Sequence, residues 1–255
     1  MIKIKRILLL ALLMLTTLAS SAQKFKVVLD AGHGGKDPGA VGSVKTNREK
    51  DINLAIVKEI GRLLAANQSD IEVHYTRQTD IFVELGRRAE IANNLNADLF
   101  VSVHTNALPK TSRKATGVQS YTLTLRTADV NLEVEKRENS VIQLESSGAQ
   151  SKYKYNDTAE AEIMFELMQD IHMRESVSFA KMAQNEMIRT AGRNNMGVQQ
   201  ANLAVLRLTY MPSVLLEVGY ISTPSEEQYL MTTDGRNKLA RSIYNAIVSY
   251  RKTKN

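Results

Sequence analysis

Phe25-Lys26-Val27-Val28-Leu29-Asp30-Ala31-Gly32-His33-Gly34-Gly35 is an apolar, β-branched run that stops at a glycine-rich turn carrying one imidazole. It reads as a buried strand delivering His33 to its C-terminal edge, and the glycines let the backbone bend tightly where a ligand or metal approaches. Asp98-Leu99-Phe100-Val101-Ser102-Val103-His104-Thr105-Asn106 repeats the design. Between the two, Ile52, Ile56, Ile60 and Leu63 recur at helical spacing from about Glu49 to Ala66, and Ile71 to Thr76 alternates as a short strand. A second helix, roughly Val83 to Leu95, turns Leu85, Ala89 and Ala92 inward and Arg87, Arg88 and Glu90 mostly outward. Strand, helix, strand, helix, strand predicts a single α/β domain whose mainly parallel sheet is covered by helices on both faces. Ligand sites in such sheets lie beyond the carboxyl ends of the strands, where both histidines stand.

Further along, Gly117 to Leu125 reads as another strand, and Ala128 to about His172 turns to charge, Ser, Asn and Lys. That stretch has too few apolar residues for its own core, so it is expected to be an inserted, partly helical excursion. A helix from about Arg174 to Thr190 follows, with Phe179, Met182, Ala183 and Met187 inward. Ala204-Val205-Leu206 and Ser213-Val214-Leu215-Leu216-Glu217-Val218-Gly219-Tyr220 read as two more strands, and Ser225 to Met231 and Asp234 to Tyr250 as closing helices.

The 255 residues suffice for one sizeable core. Residues 1–22 are expected to be a signal peptide: Lys3, Lys5 and Arg6 precede the apolar run Ile7 to Leu15, and Ala19-Ser20-Ser21-Ala22 offers a cleavage site. The chain is therefore expected to be exported to the periplasm or cell envelope, with residues 23–255 as one globular domain. The apolar run is short for a membrane span, and no later segment resembles one. The formal charge of +6 falls to +3 without the leader, too weak a bias to argue for nucleic acid. The chain has no cysteine, so neither disulfides nor a cysteine-linked lipid contributes.

Two histidines at strand ends suit a zinc site, which needs a third protein ligand and an open position for water or substrate. Glu49, at the start of the first helix, is placed to reach the same sheet edge. Glu217, at the end of an apolar strand, is the further carboxylate that takes a proton from water and returns it to a departing amine. A lone histidine of this kind is more often a hydrogen-bonded core residue, but the pair argues for a site; His74 and His172 lack the context and read as structural.

The sequence resembles the zinc-dependent N-acetylmuramoyl-L-alanine amidases of the amidase-3 type, used in bacterial cell separation. The motifs that carry the resemblance are Leu29-Asp30-Ala31-Gly32-His33-Gly34-Gly35 with Asp37-Pro38-Gly39-Ala40, Arg48-Glu49-Lys50, Phe100-Val101-Ser102-Val103-His104-Thr105-Asn106-Ala107, and Leu215-Leu216-Glu217-Val218-Gly219-Tyr220-Ile221-Ser222. The resemblance implies a six-stranded mixed sheet, one Zn2+ held by His33, Glu49 and His104, and Glu217 as the catalytic carboxylate. The implied reaction is hydrolysis of the amide between N-acetylmuramic acid and L-alanine in peptidoglycan. Arg77 is a candidate for pinning the turn near the site, with a surface ion pair as its alternative, and Asn106 for contacting substrate or orienting its loop. Some members carry a helix that covers the zinc cleft until a LytM-fold activator displaces it. The excursion lies at that place, so Glu133, Glu135 or Glu138 is a candidate autoinhibitory zinc contact; the alternative is a solvated helix with Glu133 paired to Arg137 at i, i+4. The chain is expected to be a monomer. Another zinc amidohydrolase or peptidase, or a noncatalytic peptidoglycan-binding protein on the same scaffold, are the competing readings.

Overall fold

The computed structural model describes residues 23–108, 114–124, 131–150 and 159–254, with side chains of residues 159–171 left aside. The expected signal peptide, residues 1–22, lies outside the described residues. The elements in chain order are β1 (Phe25–Ala31), α1 (Glu49–Asn67), β2 (Ile71–Tyr75), α2 (Leu85–Asn94), β3 (Leu99–Asn106) and β4 (Val118–Leu123). There follow α3 (Leu132–Asn139), a 3-10 turn at Ser140–Leu144, α4 (Ser147–Gln150), α5 (Ala159–Ala191) and β5 (Asn195–Ala201). The chain ends with α6 (Ala204–Arg207), β6 (Ser213–Tyr220), α7 (Pro224–Met231) and α8 (Thr233–Lys252).

The six strands form one mixed sheet in the order β2-β1-β3-β6-β4-β5. The first four are parallel neighbours, while β4 runs antiparallel to β6 and parallel to β5. The central strands are buried on both sides, as their near-continuous apolar sequences require. On one face Val27, Leu29, Val101, Val103, Leu216 and Val218 pack against Ile56, Ile60, Phe179, Ile243 and Ile247 of α1, α5 and α8. On the other, Val28, Phe100 and Leu215 pack with Leu85, Ala92, Val141 and Leu203. Pairing in register puts Asp30 beside Ser102 and His104 beside Glu217, all continuing this second face toward the C-terminal edge. Among the described residues no helix is long and apolar enough to cross a membrane.

The structure corrects several local expectations. Ala204-Val205-Leu206 is a helical turn and not a strand; the strand is Asn195–Ala201, which the sequence reading passed over. Most of β5 is half-buried or exposed at the sheet edge, so it shows little apolar alternation, whereas a three-residue apolar run carries no period. α5 begins at Ala159, well inside the expected excursion, and not near Arg174. Arg88 is 1% exposed and not outward. Glu133 does not pair with Arg137: it lies 3.9 Å from Lys136, while Arg137 turns toward Glu138 and Glu217.

Candidate active site

Beneath the turn after β1 lies a buried ionic network that fixes the His33 backbone. Asp30, fully buried, accepts hydrogen bonds from Arg88 Nη1 at 2.7 Å, Thr76 Oγ1 at 2.5 Å and Ser102 Oγ at 2.6 Å. Burial opposes its charge, but the Arg88 guanidinium and the two hydroxyls hold its carboxyl below the usual range. The same Arg88 donates to the carbonyls of Ala31 at 2.8 Å and His33 at 2.8 Å. Arg77, also buried, donates to the carbonyls of Ala31 at 2.8 Å, Gly32 at 2.9 Å and Lys50 at 2.9 Å. Two arginines thus satisfy three successive carbonyls of a turn in which His33 takes a left-handed conformation, φ 62°. That conformation costs a non-glycine residue energy and persists only where its surroundings over-determine it.

Two glycines make room for the imidazoles. A Cβ on Gly32 would come within 2.3 Å of His104 Nε2. Gly39 has φ +64°, and a Cβ there would meet His33 Cδ2 at 2.6 Å and Glu49 Oε2 at 2.7 Å.

His33 Nδ1 lies 2.8 Å from Asp37 Oδ2, which leaves Nε2 facing the cleft. The rings of His33 and His104 meet edge to face with centroids 4.8 Å apart. Glu49 opens α1, and its carboxylate is oriented by the backbone N–H groups of Ala40 and Thr105, both at 2.8 Å, and by Asn53 Nδ2 at 3.2 Å. Its Oε1 stands 3.2 Å from both His33 Nε2 and His104 Nδ1. Glu138, from α3, brings Oε2 to 2.9 Å from His104 Nδ1 and 3.4 Å from His33 Nε2. One ligand atom from each of His33, Glu49, His104 and Glu138 lies within 4.8 Å of the others, all four residues buried.

His33 Nε2, His104 Nδ1 and Glu138 Oε2 are buried yet lack a hydrogen-bond partner of acceptable geometry. Three orphaned polar atoms facing one point, beside a carboxylate, fit a group that binds lone pairs, and the donor set of two imidazole nitrogens and carboxylate oxygens suits a divalent metal ion. The electrostatics agree. Burial opposes charge on His33, but Glu49, with Asp37 and Glu138, raises its pKa well above the ordinary value. His104 is raised to about 9: burial opposes, and Glu138 and Glu49 prevail. Against burial, His33 and His104 lower Glu49, while His104 and Arg137 lower Glu138. The site stabilises positive charge at its centre.

Glu217 is fully buried beside this group. Burial pushes its carboxyl up to about 8; Arg137 pulls it down, and Glu138 and Glu49 add to the rise. Arg137 Nη2 donates to Glu217 Oε1 at 2.8 Å, and Arg137 Nη1 donates to Asn106 Oδ1 and to the Ala107 carbonyl, each at 2.9 Å. Of the three glutamates considered on the excursion, Glu138 alone joins the cluster. Glu133 points to solvent, and Glu135 accepts from the Asn202 backbone N–H at 2.7 Å. Sequence reasoning passed over Asp30, Asp37, Arg88 and Arg137. Asp37 carried a signal, four residues after His33 in a Pro-Gly turn, but a helical Arg88 and an Arg137 beside a glutamate carried none.

The sequence model described as N-acetylmuramoyl-L-alanine amidase matches residues 27–249. The chain belongs to that family. AmiC, an N-acetylmuramoyl-L-alanine amidase of Escherichia coli O6:H1, is 34% identical over 225 residues, 88% of this chain and 52% of that protein. The chain thus spans about half the length of that relative. AmiA of Escherichia coli K12 is 32% identical over 232 residues, 90% of this chain and 77% of that protein. The amidase of Clostridium difficile 630, a solved structure, superposes with a TM-score of 0.69 at 28% identity, covering 92% of this chain and all of that one. The amidase fold therefore accounts for the sheet, and the buried His-Glu-His-Glu group sits at the strand ends of an amidase domain.

Proposed function

We propose that the protein is a zinc-dependent N-acetylmuramoyl-L-alanine amidase, exported after loss of residues 1–22, that acts in cell-wall turnover and daughter-cell separation. The observation that carries this reading is the convergence of His33 Nε2, His104 Nδ1 and Glu49 Oε1 on one point, with the Glu217 carboxylate on the adjacent strand. His33, Glu49 and His104 are the residues that would hold zinc, and a bound zinc supplies a Lewis acid for the scissile carbonyl and makes water a better nucleophile. Glu217 takes the proton of the attacking water and passes it to the alanine nitrogen as the amide C–N bond breaks.

The α3 segment holds this site shut. Glu138 Oε2, 2.9 Å from His104 Nδ1 and 3.4 Å from His33 Nε2, would join His33, Glu49 and His104 in holding the ion and would keep water from it, so α3 acts as an autoinhibitory strap that a LytM-fold activator lifts. Digestion of purified sacculi by zinc-loaded protein, with mass analysis of the fragments, tests the reaction. Stem peptides with a free L-alanine α-amine are expected; fragments cut within the peptide or the glycan would overturn the assignment.

A further inference from the structure

The reaction proposed above ends in two charged groups: water oxygen joins the lactyl carbonyl to give a carboxylate, and the amide nitrogen, with its own hydrogen and both water protons, leaves as an α-ammonium. Arg137 and Glu138, adjacent on α3, present that same pair of charges at the site. The Glu138 carboxylate lies among the metal-ligand atoms, 2.9 Å from His104 Nδ1. The Arg137 cation lies on Glu217 Oε1, Asn106 Oδ1 and the Ala107 carbonyl, at 2.8, 2.9 and 2.9 Å. A counter-ion for Glu217 needs only the carboxylate. The two neutral oxygens beside it make a set of three acceptors, and an alkylammonium carries three N–H donors. Asn106 is 2% exposed, and among the described residues Arg137 supplies the donor to its Oδ1 and to Ala107 O. Lifting α3 leaves all three oxygens without that donor, next to the carboxylate that hands over the proton.

We infer that Asn106 Oδ1 and the Ala107 carbonyl, with Glu217, form the subsite that receives the leaving α-amine of the stem peptide, and that Arg137-Glu138 is a built-in mimic of the cleaved products. The inference rests on the amidase reading. Asn106 then contacts the substrate directly and selects for a leaving nitrogen that becomes a primary ammonium.

The test is calorimetric binding of the free-amine dipeptide L-alanyl-D-isoglutamine, with its N-acetylated form as control, to zinc-loaded protein. The parent, closed by α3, binds neither. An opened Arg137→Ala/Glu138→Ala protein, or Arg137→Ala alone should the double variant fail to fold, binds the free amine at least about ten-fold more tightly than the acetylated form, as loss of a charge-assisted hydrogen-bond set requires. Adding Asn106→Ala removes that preference with zinc affinity unchanged by chelator competition, and Asn106→Asp, which keeps an acceptor, retains it. Equal binding of the two dipeptides by the opened protein, or an Asn106→Ala protein with the preference intact, overturns the subsite. If the opened protein also releases no free-amine stem peptides from sacculi, the amidase reading fails with it; if it releases them, only the subsite assignment falls.

Discussion

Replacing Asp30 with alanine takes away the one carboxylate that faces the Arg88 guanidinium at 2.7 Å while both are about fully buried. The arginine keeps its place through the carbonyls of Ala31, His33 and Val83, so its charge stays in the interior without a partner. Breaking a buried pair in this way costs about 3–5 kcal/mol. The hydroxyls of Thr76 and Ser102 lose their acceptor as well, which sets the expectation at the upper end. For a domain of this size 1 kcal/mol moves Tm by about 2–4 °C, so a fall of about 10–20 °C is expected by calorimetry of the metal-free protein. The gap between parent and variant narrows as pH drops below about 4. The parent's Asp30 has a lowered folded pKa, so its contribution is present above the unfolded value and is lost as pH falls through the folded one. Because Arg88 keeps its hold on the His33 carbonyl, the folded variant at low temperature should still bind zinc. A variant within about 1 kcal/mol of the parent at pH 7 would refute the view that this buried pair carries the turn.

Glu217→Gln should bind zinc like the parent, by elemental analysis, yet lose about 10²–10⁴-fold in turnover on sacculi; near-parental turnover removes Glu217 from proton transfer. Glu138→Ala should digest sacculi at least about ten-fold faster than the parent, since it frees the fourth ligand position and one end of the strap; an unchanged rate means α3 does not restrain the enzyme. The metal-free protein should lose stability as pH rises from about 6.5 to about 9. His104 has a raised folded pKa, so its contribution is complete below the unfolded value and disappears as pH passes through the folded one. Denaturant melts at pH 6, 7.5 and 9 check this, and a flat profile contradicts it.

The central strands were readable because their apolar runs stop at His33 and His104, and a strand's end is where side chains leave the core for the sheet edge. Glu49 was readable because a helix start behind a strand returns to that edge, and its burial follows from the donors waiting there. β5 was not, because an edge strand beside solvent need not alternate. Arg88 was misread because a helical position tells which way Cβ points, not how far a long side chain reaches; here it runs beneath the sheet edge to Asp30. Local spacing offers Glu133 as a partner for Arg137 in one of the two readings of the segment, while its actual partners Asn106 and Glu217 lie 31 and 80 residues away in sequence. Local periodicity carries no record of such distances; only the packing of α3 over the site creates them.

Two imidazoles and one carboxylate from three separate parts of the chain should grip a single metal ion. X-ray absorption at the zinc edge, on protein loaded with one equivalent, reads the ion's donors directly. Two imidazole nitrogens at about 2.0–2.1 Å are expected with the remaining donors oxygen, the imidazole signal falling by about half in His33→Ala and equally in His104→Ala. A spectrum with no imidazole nitrogen, or one that neither substitution alters, contradicts that coordination.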